Sequence, residues 1–246
     1  MHDATAHTSQ GPQPTMATLS KTQIDRLGDR LRKGSPSEAD LRLLDEYRLS
    51  FGDAYDAIIR TIREKLQLEP TGRPDKTPSS IVEKLRRESI RLSQCQDIAG
   101  CRIIVPDVFT QDHITATLHD TFPETRVMDR RKSPSHGYRA VHVIVMTQGV
   151  SVEIQVRTAL QDLWAELSER LSDVVDSSIK YGGGDPEDRQ WLLLISDSIA
   201  GWEELETRLH PSPDDQAFHK IVASEKRNLV KIIQKKISTL ESNRKR

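Results

Sequence analysis

The chain of 246 residues, 35% hydrophobic and 30% charged with a mean hydropathy of -0.58, has the length for one good-sized core and the composition of a helix-rich globular protein, which excludes a fibre or a coreless chain. A formal net charge of -1 means that any polyanion must be met by local basic clusters rather than by the overall field. Cys95 and Cys101, the two cysteines, have no CxxC spacing and no nearby histidine, and no apolar run approaches the roughly 20 residues of a membrane helix, so a cytoplasmic protein with neither zinc, disulfide framework nor membrane partner is expected.

Residues 1–19, rich in Thr, Ser, Gln, Pro and His, read as a disordered leader. From Lys21 apolar residues recur near the helical period, through Ile24, Leu27 and Leu31, then Leu41, Leu44 and Tyr47, then Tyr55, Ile58, Ile59, Ile62 and Leu66. This predicts two or three helices, broken near Gly34-Ser35-Pro36. Glu69 to Pro74 is turn chemistry, and a helix starts around Thr77-Pro78-Ser79, since Thr or Ser caps and Pro is tolerated in a first turn. Cys101 to Val105 reads as a buried strand ended by Pro106, and Asp112 to Phe122 as another helix. Ala140 to Met146 and Val152 to Val156 read as two β-rich runs in a hairpin joined at Gln148-Gly149. Helices resume at Leu160, break at Gly182-Gly183-Gly184, continue through Trp202, and run again from Ile221 to Leu240.

The class is α+β or α/β with one mixed sheet flanked by helices; α+β, with extra helices at both ends, is the assignment adopted. The main domain spans 20–210. A basic helix over 211–246 follows, whose apolar positions pack either on the domain or on a second subunit. Lys84, Arg86, Arg87 and Arg91 form one basic cluster, and Arg130, Arg131, Lys132 and Arg139 another.

Alternation along Val152 to Arg157 puts Val152, Ile154 and Val156 on one face and Glu153, Gln155 and Arg157 on the other. The bland account is an amphipathic edge strand with its polar face in water. Gly137-Tyr138-Arg139-Ala140-Val141-His142 enters the partner strand. A glycine before an aromatic there suggests backbone bending around something flat, Tyr138 is a candidate for stacking on a base, and His142 is placed to share the face of Glu153. Asp97, just before an apolar strand, suits a hard cation held by one or two carboxylates and phosphate oxygens.

These segments, Asp97 to Arg102, Gly137 to His142 and Glu153 to Thr158, followed by Trp164-Ala165, resemble the signature blocks of the RelA/SpoT synthetase family in their usual order. Upstream, Arg73, Lys76, Ser80-Ile81 and Lys84 resemble that family's ATP-binding segment, so the match covers roughly residues 70–172. The resemblance implies a nucleotidyltransferase-like sheet, and transfer of the β,γ-diphosphate of ATP to a ribose 3′-hydroxyl with Mg2+. Asp97 is then the main metal ligand, and Glu153 a ligand or the general base. Arg73, Lys76, Ser80, Lys84 and Arg102 would hold ATP, with Arg73 stacked on adenine. Tyr138 would stack on the acceptor base, while Arg139, His142, Gln155 and Arg157 position the acceptor.

Three departures bear on the acceptor: Ser168-Glu169 stand where many members carry Glu-His, His136 stands where Asn is frequent, and Asp75 lengthens the spacing between Arg73 and Lys76. The variant blocks look more like the toxic small alarmone synthetases. That implies the 3′-CCA end of tRNA as acceptor and a neutralising antitoxin as partner, with guanosine or adenosine nucleotides as the alternative acceptors. Two other readings compete: a nucleotide- or RNA-binding module without catalysis, and a nucleotidyltransferase that releases pyrophosphate.

Overall fold

The structure, a computed structural model, describes residues 19–209 and 216–244; most of the leader expected over 1–19 lies outside the described residues. Leu19 is described, and it packs partly buried against the main core. Three helices open the chain: α1 (Lys21–Lys33), α2 (Glu38–Leu49) and α3 (Gly52–Leu66). The first two start where a serine hydroxyl accepts a backbone N–H that the helix leaves unpaired, Ser20 from Gln23 and Ser37 from Asp40. Their periodic positions do what the spacing predicts, since Leu27, Leu31, Leu44, Ile58 and Ile62 are fully buried.

Next come β1 (Thr71–Arg73), α4 (Pro78–Arg87), β2 (Ala99–Val105), α5 (Val108–Thr121), β3 (Thr125–Asp129), β4 (Val141–Thr147) and β5 (Val150–Thr158). They build one mixed sheet in the order β1-β2-β5-β4-β3, in which only β2 and β5 run parallel. The hairpin between β4 and β5 turns on Gln148 and Gly149, both at positive φ (51° and 79°), the two-residue geometry whose twist matches paired strands.

Two strands differ from the sequence expectation. Thr71 to Arg73 is strand rather than turn, because Gly72 lets β1 lie directly on β2: a Cβ at Gly72 would fall 2.5 Å from the Cys101 Cα and 2.5 Å from the Gly100 carbonyl oxygen. β3 carries little apolar signal, being a short edge strand with polar residues on either side of Val127 and Met128; it forms because β4 offers a free edge to pair with.

The sheet separates two cores. One face sends Cys101, Ile103 and Val105 of β2 and Val152, Ile154 and Val156 of β5 into the core with α1 to α5. The second core is helical, formed by α6 (Ala159–Val174), α7 (Pro186–Leu209) and α8 (Gln216–Arg244), with a 3₁₀ turn at Ile179–Tyr181. Leu229, Ile233, Ile237 and Leu240 bury the apolar side of α8 there, so that side packs on the chain's own helices.

Candidate active site

The face of the sheet turned away from the main core carries the chemistry. Register places Gly100 beside Glu153, and Arg102 beside Gln155, which has His142 on its other side. The bland reading of β5 as a water-facing edge strand is overturned, because β5 lies between β2 and β4 and Glu153 and Arg157 are buried. A cleft of about 500 Å³ opens on this face, lined by Thr71, Gly72, Lys76, Asp97, Gly100, Cys101, Arg102, Glu153, Gln155, Arg157 and Glu169.

Asp97 stands at one wall, half-buried between two lysines. Lys76 Nζ lies 2.6 Å from one carboxylate oxygen and Lys84 Nζ 2.9 Å from the other. Burial alone would push the Asp97 carboxyl up, but the two ammonium charges and their hydrogen bonds outweigh it and bring the pKa down to about 2. Burial likewise opposes the charge on Lys84, and Asp97 overcomes it, so the Lys84 pKa is raised. The loop carrying Lys76 is tied down: its backbone N–H donates to the Ile98 carbonyl at 2.6 Å, and Arg48 of α2 binds both the Lys76 carbonyl and the Asp75 carboxylate. The extra residue Asp75 thus anchors the loop.

Glu153 sits in a closed ring of hydrogen bonds. His142 Nδ1 is 2.7 Å from Oε1, and Gln155 Nε2 donates to Oε2 at 2.7 Å. His142 Nε2 is 2.9 Å from the Tyr138 hydroxyl. Arg157 Nη2 donates to that hydroxyl at 3.1 Å and to Gln155 Oε1 at 2.7 Å, which closes the ring. Burial pushes the Glu153 pKa up and nearby Asp97 adds to this, yet the His142 contact and the Gln155 hydrogen bond prevail and the carboxyl lies below its ordinary range. Asp162, in the first turn of α6, holds the two cleft arginines: Arg102 Nη1 and Arg157 Nη1 each lie 3.0 Å from the same oxygen.

The structure therefore brings Lys76, Asp97, Arg102, Glu153, Gln155 and Arg157 onto one cleft, with Lys84 and His142 attached through the two acids. It does not bring Ser80, Arg139 or the Tyr138 ring there. The Ser80 hydroxyl is held in the cap of α4, accepting from Thr77 Oγ1 at 2.8 Å. Arg139 is turned elsewhere, donating to the Arg131 carbonyl at 2.7 Å and lying with Trp164 and Ser196 around a narrow crevice. The Tyr138 ring packs against the α6–α8 core, with its centroid 6.4 Å from that of Trp164. Of Arg73 the structure describes the backbone, which pairs with Gly100.

Sequence reasoning missed Asp162 and the place of Glu169. An acid in the first turn of the helix that follows the Arg157-Thr158 end of a strand was the available signal for Asp162. Glu169 was noted as a departure, and it lines the cleft while Ser168 is buried. The His136 departure has a backbone reason. His136 and Gly137 both have positive φ (51° and 87°) in a tight turn from Ser135 to Tyr138, a conformation that Asn and His tolerate better than most residues. The flat object behind Gly137 is the Trp164 ring, 2.8 Å from where a Cβ would stand.

Among the described residues no three His, Cys, Asp or Glu side chains converge as a ready metal cage. Asp97 and Glu153 nevertheless face one cleft, both favouring the ionised form, and two carboxylates suffice for a hard cation whose other ligands are waters and phosphate oxygens.

The comparisons with known proteins agree with this geometry. The family model described as "Region found in RelA / SpoT proteins" matches residues 72–172, the stretch from β1 to α6. The chain is 32% identical over 209 residues to the uncharacterized protein Rv1366 of Mycobacterium tuberculosis, covering 82% of this chain and 74% of that one. It is 35% identical over 133 residues to the GTP pyrophosphokinase YjbM of Bacillus subtilis, which is 48% of this chain and 59% of that protein. Among solved structures it resembles the small alarmone synthetase 1 of Bacillus subtilis bound to its product pppGpp, with a TM-score of 0.52 and 28% identity over 71% of this chain and 97% of that one. Cleft, sheet order and relatives all point the same way: the chain belongs to the RelA/SpoT family.

Proposed function

We propose that the protein transfers the β,γ-diphosphate of ATP to a ribose 3′-hydroxyl. The observation that carries this reading is a single cleft in which Asp97 lies against Lys76 and Lys84 while Glu153 faces it from the next strand. Lysines next to an acid suit a polyphosphate that brings its own cation. Lys76 and Lys84 then turn to phosphate oxygens, and Arg102 neutralises charge on the same side. Asp97 and Glu153 would hold Mg2+, which supplies charge neutralisation at the transferring phosphates when bound. Glu153 accepts the proton of the 3′-hydroxyl as that oxygen bonds to the β-phosphorus; the bond from the β-phosphorus to the α,β-bridging oxygen breaks, and AMP leaves. Arg73 stacks on adenine, with Ser80 at the start of α4 beside it. The acceptor base is met from the Tyr138 turn, with Gln155 and Arg157 at the sugar side and Arg139 behind the turn.

For the acceptor we propose the 3′-terminal adenosine of tRNA, with an antitoxin as the natural partner of such an activity. The supporting features are the variant helix around Ser168-Glu169, which puts Glu169 at the cleft, and exposed cations at Arg91 and Lys132. Within the two basic clusters Lys84 and Arg131 are committed to Asp97 and Asp129, so only part of each is free for a phosphate backbone. A second reading is free guanosine or adenosine nucleotides, of which the guanosine acceptor is favoured by the similarity to the GTP pyrophosphokinase YjbM.

Incubation with γ-labelled ATP and each of GDP, GTP, AMP, ADP and deacylated tRNA separates these readings. Label on tRNA and AMP release are expected. Label on free nucleotides only would replace the acceptor, whereas ATP binding without label on any acceptor would replace the enzyme by a binding module, and pyrophosphate release would indicate nucleotidyl transfer.

A further inference from the structure

The ring around Glu153 has a direction. An arginine can only donate hydrogen bonds and an ionised carboxylate can only accept them, so the two ends of the ring set its sense. Along one arm Arg157 donates to Gln155 Oε1 and the Gln155 amide donates to Glu153. Along the other Arg157 donates to the Tyr138 oxygen, leaving the phenolic proton for His142 Nε2 and the Nδ1 proton for Glu153. A proton on Nε2 would instead face the phenol as a second donor and leave the phenolic hydrogen without an acceptor in the ring. The ring geometry therefore turns Nδ1 of His142 to Glu153 as the donor and Nε2 to the Tyr138 hydroxyl.

We infer that His142 and the Tyr138 hydroxyl are positioning groups for Glu153: the Nδ1–H of His142 pins one carboxylate oxygen, and the phenol locks the imidazole tautomer that does so. This rests on the pyrophosphotransfer reading, in which Glu153 is the base. It changes the part given to two residues: His142 acts through Glu153 instead of touching the acceptor, and Tyr138 acts through its hydroxyl as well as its ring. The ring also ties the acceptor side to the base. Tyr138 leaves a turn whose Gly137 carbonyl accepts from Ser196 Oγ at 2.6 Å, so the phenol is held from α7 as it reaches His142.

Amide side chains divide the imidazole's two functions. His142→Asn puts a donor near the place of Nδ1, whereas His142→Gln puts polar atoms near the place of Nε2 and loses the Glu153 contact. With the proposed base contributing on the order of 10²- to 10⁴-fold, His142→Gln should lower kcat by about 100-fold. His142→Asn and Tyr138→Phe, which lose only the phenol link, should each lower it by about tenfold. Acceptor KM should stay near wild type in all three, and melting temperature should fall by no more than about a few degrees, by similar amounts.

Histidine ¹⁵N spectra of the full chain give a readout independent of activity. The resonances that disappear in His142→Asn should be those of a protonated Nδ1 and an unprotonated Nε2 near neutral pH. Equal losses in the two His142 variants, a Tyr138→Phe effect confined to KM or absent, a fall in melting temperature that tracks kcat, or an Nε2–H or charged imidazole would each overturn the inference. If wild-type protein transfers nothing while the spectra show the Nδ1–H form, it is the pyrophosphotransfer reading that falls.

Discussion

At the scale of single residues the cleft is a balance of charges held close by burial. Asp97 shows the balance most plainly, because its pKa of about 2 lies below the ordinary 3.8 despite its burial. A carboxyl whose folded pKa is depressed stabilises the fold fully above its unfolded value and loses that contribution as pH falls through the folded one. Stability should therefore drop by about 2 kcal/mol between pH ~4 and pH ~2 on account of Asp97 alone. Urea midpoints measured across that range would show the drop, and Asp97→Asn should remove this part of it. Glu153 makes the chemical prediction. Glu153→Gln keeps the shape and one of the two ring contacts of this side chain but cannot take a proton, so kcat should fall on the order of 10²- to 10⁴-fold while the protein still folds. Near-normal turnover would show that another group is the base.

At the scale of elements, the site depends on how strands are brought together. β1 is three residues long and sits at the sheet edge, so its hold on β2 rests on close contact at Gly72. Gly72→Ala should force the strands apart and cost about 1–3 kcal/mol, as overpacking does. Because Lys76 follows β1 directly, the ATP KM should rise in the same variant; an unchanged KM would mean that Lys76 is placed by its own loop contacts alone. Much of the element plan was legible. The cap of α4, the helical stripes, the Gln148-Gly149 hairpin and the alternation along β5 are local features, each decided by neighbours within a few positions. β1 and β3 were not legible, since each is an edge strand with no short turn to its ladder partner and with residues that carry a weak β signal.

At the scale of the whole molecule, two cores share one functional face, with the sheet packed on α1 to α5 and α6 to α8 forming the second core. Removing the chain after Leu209 would uncover the surface that Leu229, Ile233, Ile237 and Leu240 bury. At about 1.5–3 kcal/mol for each large apolar side chain, the loss rivals the usual 5–15 kcal/mol of a domain. The truncated protein should aggregate or lose its cooperative thermal transition, whereas a soluble, fully active truncation would make α8 an appendage. The acceptor can also be judged at this scale. A tRNA engages several cations and releases counterions, so its KM should climb steeply between about 50 and 200 mM salt, while that of a mononucleotide should change little.

By itself the sequence determined the family, the helical stripes, and the order of the acidic and basic motif residues along the chain, because these are written in local spacing and in motif blocks that need no partner to be read. Only the tertiary structure decided which side chains meet. It turned Lys84 inward to Asp97, sent Arg139 away from the cleft, recruited Asp162 to hold two arginines and closed the ring from Arg157 to Glu153. The physical reason is that buried charges and hydrogen-bonding groups must find partners, and those partners come from whichever strands and helices the fold sets side by side, however far apart they lie in the chain.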